Sequence, residues 1–120
     1  APTAGTWTVE MQDAFGDGWQ PTTADGGGPG LIVRLSDGTV YEIGLCTPYE
    51  DPGYSCTDGA SAGTATFDVP AGLTEPAEFD FQGDFWGEIS FQIITPNGNL
   101  VADVPAGTDA GLITIDFCKD

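Results

Sequence analysis

Histidine is absent from these 120 residues, and only 2 basic side chains stand against 19 acidic ones, for a formal net charge of -17. Without His, neither a Ser-His-Asp nor a Cys-His arrangement can be built. Zinc would find only carboxylates and three cysteines, Cys46, Cys56 and Cys118, whose spacing fits none of the usual structural sites. So negative a field repels nucleic acid and anionic lipid, which excludes both as partners, and it suits cations. No run approaches the ~18 continuous apolar residues of a membrane span, so no membrane insertion is expected. The glycine-rich run Gly26-Gly27-Gly28-Pro29-Gly30 lacks the Lys and following helix of a phosphate loop, and it reads as an irregular, flexible connection. Two carboxylates would suffice for a glycosidase, but a domain this small rarely builds the deep cleft that raises one of their pKa values. The chain reads as non-enzymatic, with no catalytic residue.

What is present is the pattern of a folded all-β domain. Apolar residues make up 40% of the chain and fall in short alternating runs between turn residues, unlike the composition of a disordered acidic chain. Strands are expected at Thr6–Gln12, Leu31–Leu35, Val40–Leu45, Thr64–Val69, Glu78–Gln82, Glu88–Ile94, Leu100–Val104 and Leu112–Cys118. Asp37-Gly38 and Asn97-Gly98 supply the positive φ of tight hairpins. About eight short strands at this spacing predict an antiparallel β-sandwich, jelly-roll-like, with the first and last strands paired in one sheet. Residues 6–120 are expected to form one domain, preceded by a flexible N-terminal tail, residues 1–5. The opening Ala1-Pro2-Thr3-Ala4 resembles the start of a processed secretory protein, so an extracellular or cell-surface location is expected.

Cys46 and Cys56 flank a loop rich in Pro, Gly, Tyr and Asp that can bury little by itself. A disulfide between them would staple it in an oxidising compartment. Cys118 would then be a buried small hydrophobe or a link to another chain. Alternatively, Cys118 pairs with Cys46 or Cys56 and pins the C-terminal strand.

Asp13-Ala14-Phe15-Gly16-Asp17-Gly18-Trp19 packs two carboxylates, two glycines and two aromatics into seven residues after the first strand. Calcium takes about six to eight oxygens, mixing carboxylates with backbone carbonyls. Asp13 and Asp17 offer side-chain oxygens, and the glycines let carbonyls such as that of Phe15 turn inward. The loop is not an EF-hand, because Ala24 stands at the twelfth position, where that motif needs an acid. Further ligands must come from elsewhere, and Asp84 and Glu88 in Asp84-Phe85-Trp86-Gly87-Glu88 are the expected donors.

Together these residues resemble a recurrent calcium-binding module of secreted bacterial and algal proteins, similar to CUB-like sandwiches. Its pattern runs roughly Asp-Ser-Tyr-Gly-Asp-Gly-Trp-Asn-Gly, then Glu-x-Ser-Trp-x-Ile/Leu, then Asp-x-x-Gly. Asp13, Gly16, Asp17, Gly18, Trp19, Glu88, Ser90 and Phe91 match, within a stretch of about residues 7 to 104. The resemblance implies a calcium role for Asp13, Asp17 and Glu88. Gln20-Pro21 and a Gly-rich insertion replace the usual Asn-Gly, so ligands taken from that segment do not carry over.

Trp19 and Trp86 beside the acidic loops, with Tyr49 and Tyr54 in the cysteine loop, are candidate ligand-contacting aromatics, although rings so placed also cap cores. The functional expectation is a secreted, calcium-stabilised structural module, self-associating by addition of its N-terminal strand to a neighbour's sheet, as in a filament. The alternative is a glycan-binding or adhesion module of a larger extracellular protein.

Overall fold

Period-two alternation decides the architecture. In β1 (Gly5–Asp13), Trp7, Val9, Met11 and Asp13 are buried while the residues between them are partly exposed. Leu31 and Val33 of β2 (Leu31–Arg34), Phe79 and Phe81 of β5 (Glu78–Phe81), and Ile89, Phe91 and Ile93 of β6 (Ile89–Ile94) obey the same rule. With β3 (Val40–Ile43), β4 (Ala62–Val69), β7 (Leu100–Val104) and β8 (Gly111–Leu112) they make eight strands among the described residues. This computed structural model describes residues 2–116 and 120. Among the described residues no helix is long and apolar enough to cross a membrane.

The strands form two antiparallel sheets of four, ordered β4-β1-β6-β7 and β3-β2-β5-β8. Their inner faces meet in one apolar core, as in a β-sandwich. Trp7, Phe67 and Phe79 cluster with centroids 5.7 to 5.9 Å apart, and Phe91 touches both Phe81 and Trp19. Both hairpin signals hold. Leu35 N–H donates to Thr39 O at 2.9 Å and Thr95 N–H to Asn99 O at 2.9 Å, with Gly38 and Gly98 at positive φ.

Two expectations about strands need correction. The first and last strands do not share a sheet: β1 is interior, paired with β4 along Gly5–Gln12 and with β6 along Thr8–Asp13. A β1 hydrogen-bonded on both sides offers no free edge to a neighbour; the edge strands are β4, β7, β3 and β8. Second, β8 is shorter than the expected Leu112–Cys118. Ile113 N–H donates to Phe79 O and Asp116 N–H to Val101 O, so the chain leaves β5 in one sheet and crosses to β7 in the other. The alternation of Ile113 and Ile115 marks that crossing, where both side chains pack against the core. Cys118 lies outside the described residues.

Cys46 and Cys56 form a disulfide, as expected, with Cα atoms 5.1 Å apart. The loop it closes reaches the glycine-rich segment, where Gly27 N–H donates to Glu50 Oε1 at 2.9 Å. The same segment is held by Trp86 Nε1–H, which donates to Ala24 O, and by Phe85 N–H, which donates to Gln20 O. The connection read as flexible is therefore irregular but tied at several points.

Trp19 is 1% exposed, its Nε1–H donating to Gln12 O at 2.9 Å. Gly30 makes room for its ring: a Cβ there would lie 2.5 Å from Trp19 Cε3. With the ring buried and packed against Phe91, Gly30→Ala is expected to cost about 1–3 kcal/mol through overpacking. Urea unfolding followed by tryptophan fluorescence measures it, and an unchanged midpoint would contradict the packing described.

Candidate metal centre

The centre lies where β1 hands over to the acidic loop. The phase of Trp7, Val9 and Met11 carries Asp13 to the inner side of the sheet, and Asp13 is only 4% exposed. The antiparallel register sets Asp13 opposite Ile89, and one further bond, Ala14 N–H to Glu88 O at 3.1 Å, extends the pairing to Glu88. Strand pairing, not loop chemistry, thus delivers the distant carboxylate.

The loop is shaped around Asp13. Its Oδ2 accepts the N–H groups of Gly16 at 3.0 Å and Asp17 at 2.8 Å. Gly16 and Gly18 have φ of 89° and 79°, a region that glycine enters without steric cost. At Gly18 a Cβ would also collide with the Cys46 carbonyl. Outside bonds strap the loop down, from Asp13 N–H to Ser61 O, Gly18 N–H to Ala60 O and Trp19 N–H to Leu45 O. Ala60 itself sits at φ 49°, strained for a residue with a Cβ.

Asp13, Asp17 and Glu88 each place a carboxylate oxygen so that all three lie within 4.8 Å of one another. Oxygens held at about 2.3–2.6 Å from one calcium ion span that separation. Asp13 Oδ1 and Asp17 Oδ1 are buried without a hydrogen-bond partner, the two such side-chain atoms among the described residues. Buried acceptors are normally satisfied, and leaving one unpaired costs about 1–3 kcal/mol, more when it is charged. Burial, and then the neighbouring Asp17, raise the Asp13 pKa from its ordinary 3.8 to about 6. Glu88 is raised too, first by desolvation and then by the charge of Asp17. Arg34, the one basic side chain among the described residues, pairs with Asp80 at 2.8 Å. Among the described residues the cluster is therefore three acids without a counterion, a donor set that fits a hard divalent cation.

The other expected residues divide. Asp84 is not among the three carboxylates that converge: its Oδ1 accepts Glu88 N–H, and its Oδ2 accepts Ile89 and Gly107 N–H. Its carboxylate organises the turn that presents Glu88. Phe15 lies between the two aspartates in sequence, with its ring 71% exposed. Trp19 is corrected from ligand contact to core, since a ring 1% exposed cannot meet a ligand. Tyr54 is half-buried beside Gly44, with its phenol pKa pushed up to about 12 by burial and then by Glu42. It does not join the cluster. Tyr49 and Trp86 stay exposed and line a cleft of 340 Å³ with Phe15, Asp17, Asp25 and Glu88. Asp25, in the glycine-rich connection, was missed because only the fold of that connection brings it to the cleft.

No family profile, no curated protein and no solved structure matches the chain.

In metal-free protein the raised Asp13 pKa fixes the sign of a pH effect. The folded state holds a proton more tightly than the unfolded chain, so this group's contribution is fully present below pH 3.8 and is lost as pH rises through about 6. Glu88 acts in the same direction. In a chelating buffer the melting temperature is expected to fall between pH 5 and pH 7, and Asp13→Asn is expected to flatten that slope. Thermal melts across that interval measure both.

Proposed function

We propose that this chain is a non-enzymatic, calcium-stabilised β-sandwich that serves as a structural module outside the cell. The observation that carries this reading is the pair of buried, unpartnered oxygens, Asp13 Oδ1 and Asp17 Oδ1, within reach of Glu88. Calcium supplies what the chain lacks there, a positive charge that accepts several oxygens without strict geometry. Its ligands come from Asp13 at the end of β1, from the loop that follows and from the residue before β6, so binding closes the sheet at that end. The resemblance of the Asp13–Trp19 and Glu88–Phe91 motifs to secreted calcium-binding sandwiches supports the same reading. The Cys46–Cys56 disulfide fits an oxidising, extracellular setting.

The structural role rests on inventory and on shape. The absence of His removes the usual general base. Assembly in this reading proceeds through the edge strands β3, β4, β7 or β8, or by exchanging β1 outright between copies. Calcium lowers the net negative charge that opposes close packing of copies.

Calcium at about a hundredfold excess over its Kd is expected to add about 2.7 kcal/mol of stability, removed by EDTA. The sharper check is a change of sign in one variant. Asp13→Asn keeps an oxygen for the Gly16 and Asp17 N–H groups but removes a buried charge. Without metal it should be more stable than the wild type by on the order of 1–3 kcal/mol; with calcium it should be less stable. Thermal melts of both proteins, with calcium and with EDTA, decide this. If calcium leaves the wild-type melt unmoved, the metal reading fails. Light scattering with and without calcium tests assembly, and a monomer under all conditions would exclude it.

A further inference from the structure

Resting on the calcium reading, we infer that the cleft over the metal centre binds a neutral saccharide, whose vicinal hydroxyls complete the coordination of the ion. The first argument is coordination. Asp13 is buried, whereas Asp17 and Glu88 reach the 340 Å³ cleft, so the centre is closed on the core side and open on that side. Asp13 Oδ2 is already engaged by two N–H groups. Three carboxylates so arranged would leave positions unfilled on an ion that takes about six to eight oxygens, and the cleft lined by Asp17 and Glu88 is the side from which a ligand could reach it.

The second argument is the character of the cleft wall. Phe15, Tyr49 and Trp86 are 71%, 53% and 55% exposed, beside the carboxylates. Trp86 is exposed yet fixed: its Nε1–H is committed to Ala24 O at 2.9 Å, and Phe85 meets it edge-on with ring centroids 5.0 Å apart. With its polar edge tied to the backbone, the ring has its apolar surface left for a ligand, and little side-chain freedom is lost on binding. Tyr49 is carried by the disulfide-closed loop and lines the same cleft as Asp17. Aromatic surface beside hydroxyl-coordinating metal matches the two faces of a sugar ring, one apolar and one polar.

The third argument is charge. Three carboxylates around a divalent ion keep a negative balance, and Asp25 adds to it. An acidic ligand would meet that field and the -17 of the whole chain, whereas a neutral polyol meets no repulsion.

The experiment is native affinity electrophoresis through gels containing xylan, mannan, β-glucan or galactan, each with calcium or with EDTA. Melts of the same samples report metal binding separately. The wild type should be retarded by at least one of these polysaccharides with calcium and by none with EDTA. Trp86→Ala should keep the calcium-dependent melting shift yet lose affinity by about tenfold or more, and Trp86→Phe should fall between. Of the three tryptophans Trp7 and Trp19 are 1% exposed, so acrylamide quenching reads Trp86 in the unaltered protein, and the retarding polysaccharide should protect it. A normal calcium shift without retardation in any gel overturns the saccharide inference and leaves the calcium reading standing. Retardation that survives EDTA, or is indifferent to Trp86, overturns it as well. No calcium shift removes both readings together.

Discussion

Three carboxylates converge at the end of β1 with no cationic side chain beside them among the described residues, and much of the surrounding structure follows from that repulsion. Asp13 is inward by strand phase and cannot swing out to water without abandoning the Gly16 and Asp17 N–H groups. The loop is strapped to β3–β4 connecting residues on one side and to Glu88, just before β6, on the other, so it does not relax the crowding by opening. Such an arrangement is costly when empty and favourable when a cation is present. The elevated Asp13 pKa is the same fact expressed as proton affinity.

The strands were legible because alternation and turn chemistry agree. Trp7-Val9-Met11 and Ile89-Phe91-Ile93 admit one inward face each, and Asp37-Gly38 and Asn97-Gly98 admit one kind of turn. The order of strands was not legible, since alternation says nothing about which strand lies beside β1. The misjudged last strand shows a related limit. Ile113 and Ile115 alternate because the chain crosses between sheets with its apolar side inward, and periodicity reads that crossing as a strand.

At the site, residue type was informative and geometry was not. Asp13, Asp17 and Glu88 were identifiable from two short motifs, but Asp84 sits in an equally acidic, equally aromatic context and does different work. The difference is in what surrounds the carboxylates: three backbone N–H groups face Asp84, while Asp13 and Asp17 each keep a bare oxygen. Trp19 and Trp86 make the same point with aromatics. Each lies next to a glycine and each donates its indole N–H to a backbone carbonyl. Gly30 opens a space in the core for Trp19, and nothing of that kind covers Trp86.

The interior place of β1 has a consequence in time. Both its neighbours, β4 and β6, are synthesised after it, so β1 cannot be paired on both sides until Ile94 has been made. Pairings this distant in sequence fold slowly, because loop closure must precede any reward from contact. Asp13 and Asp17 therefore wait as ordinary solvated acids until Glu88 emerges and β6 docks. The three carboxylates thus come together only when β6 docks on β1. On the proposed calcium reading, an ion bound there would act as a latch on the β1–β6 pairing, holding the finished fold against return along the slow route by which it formed.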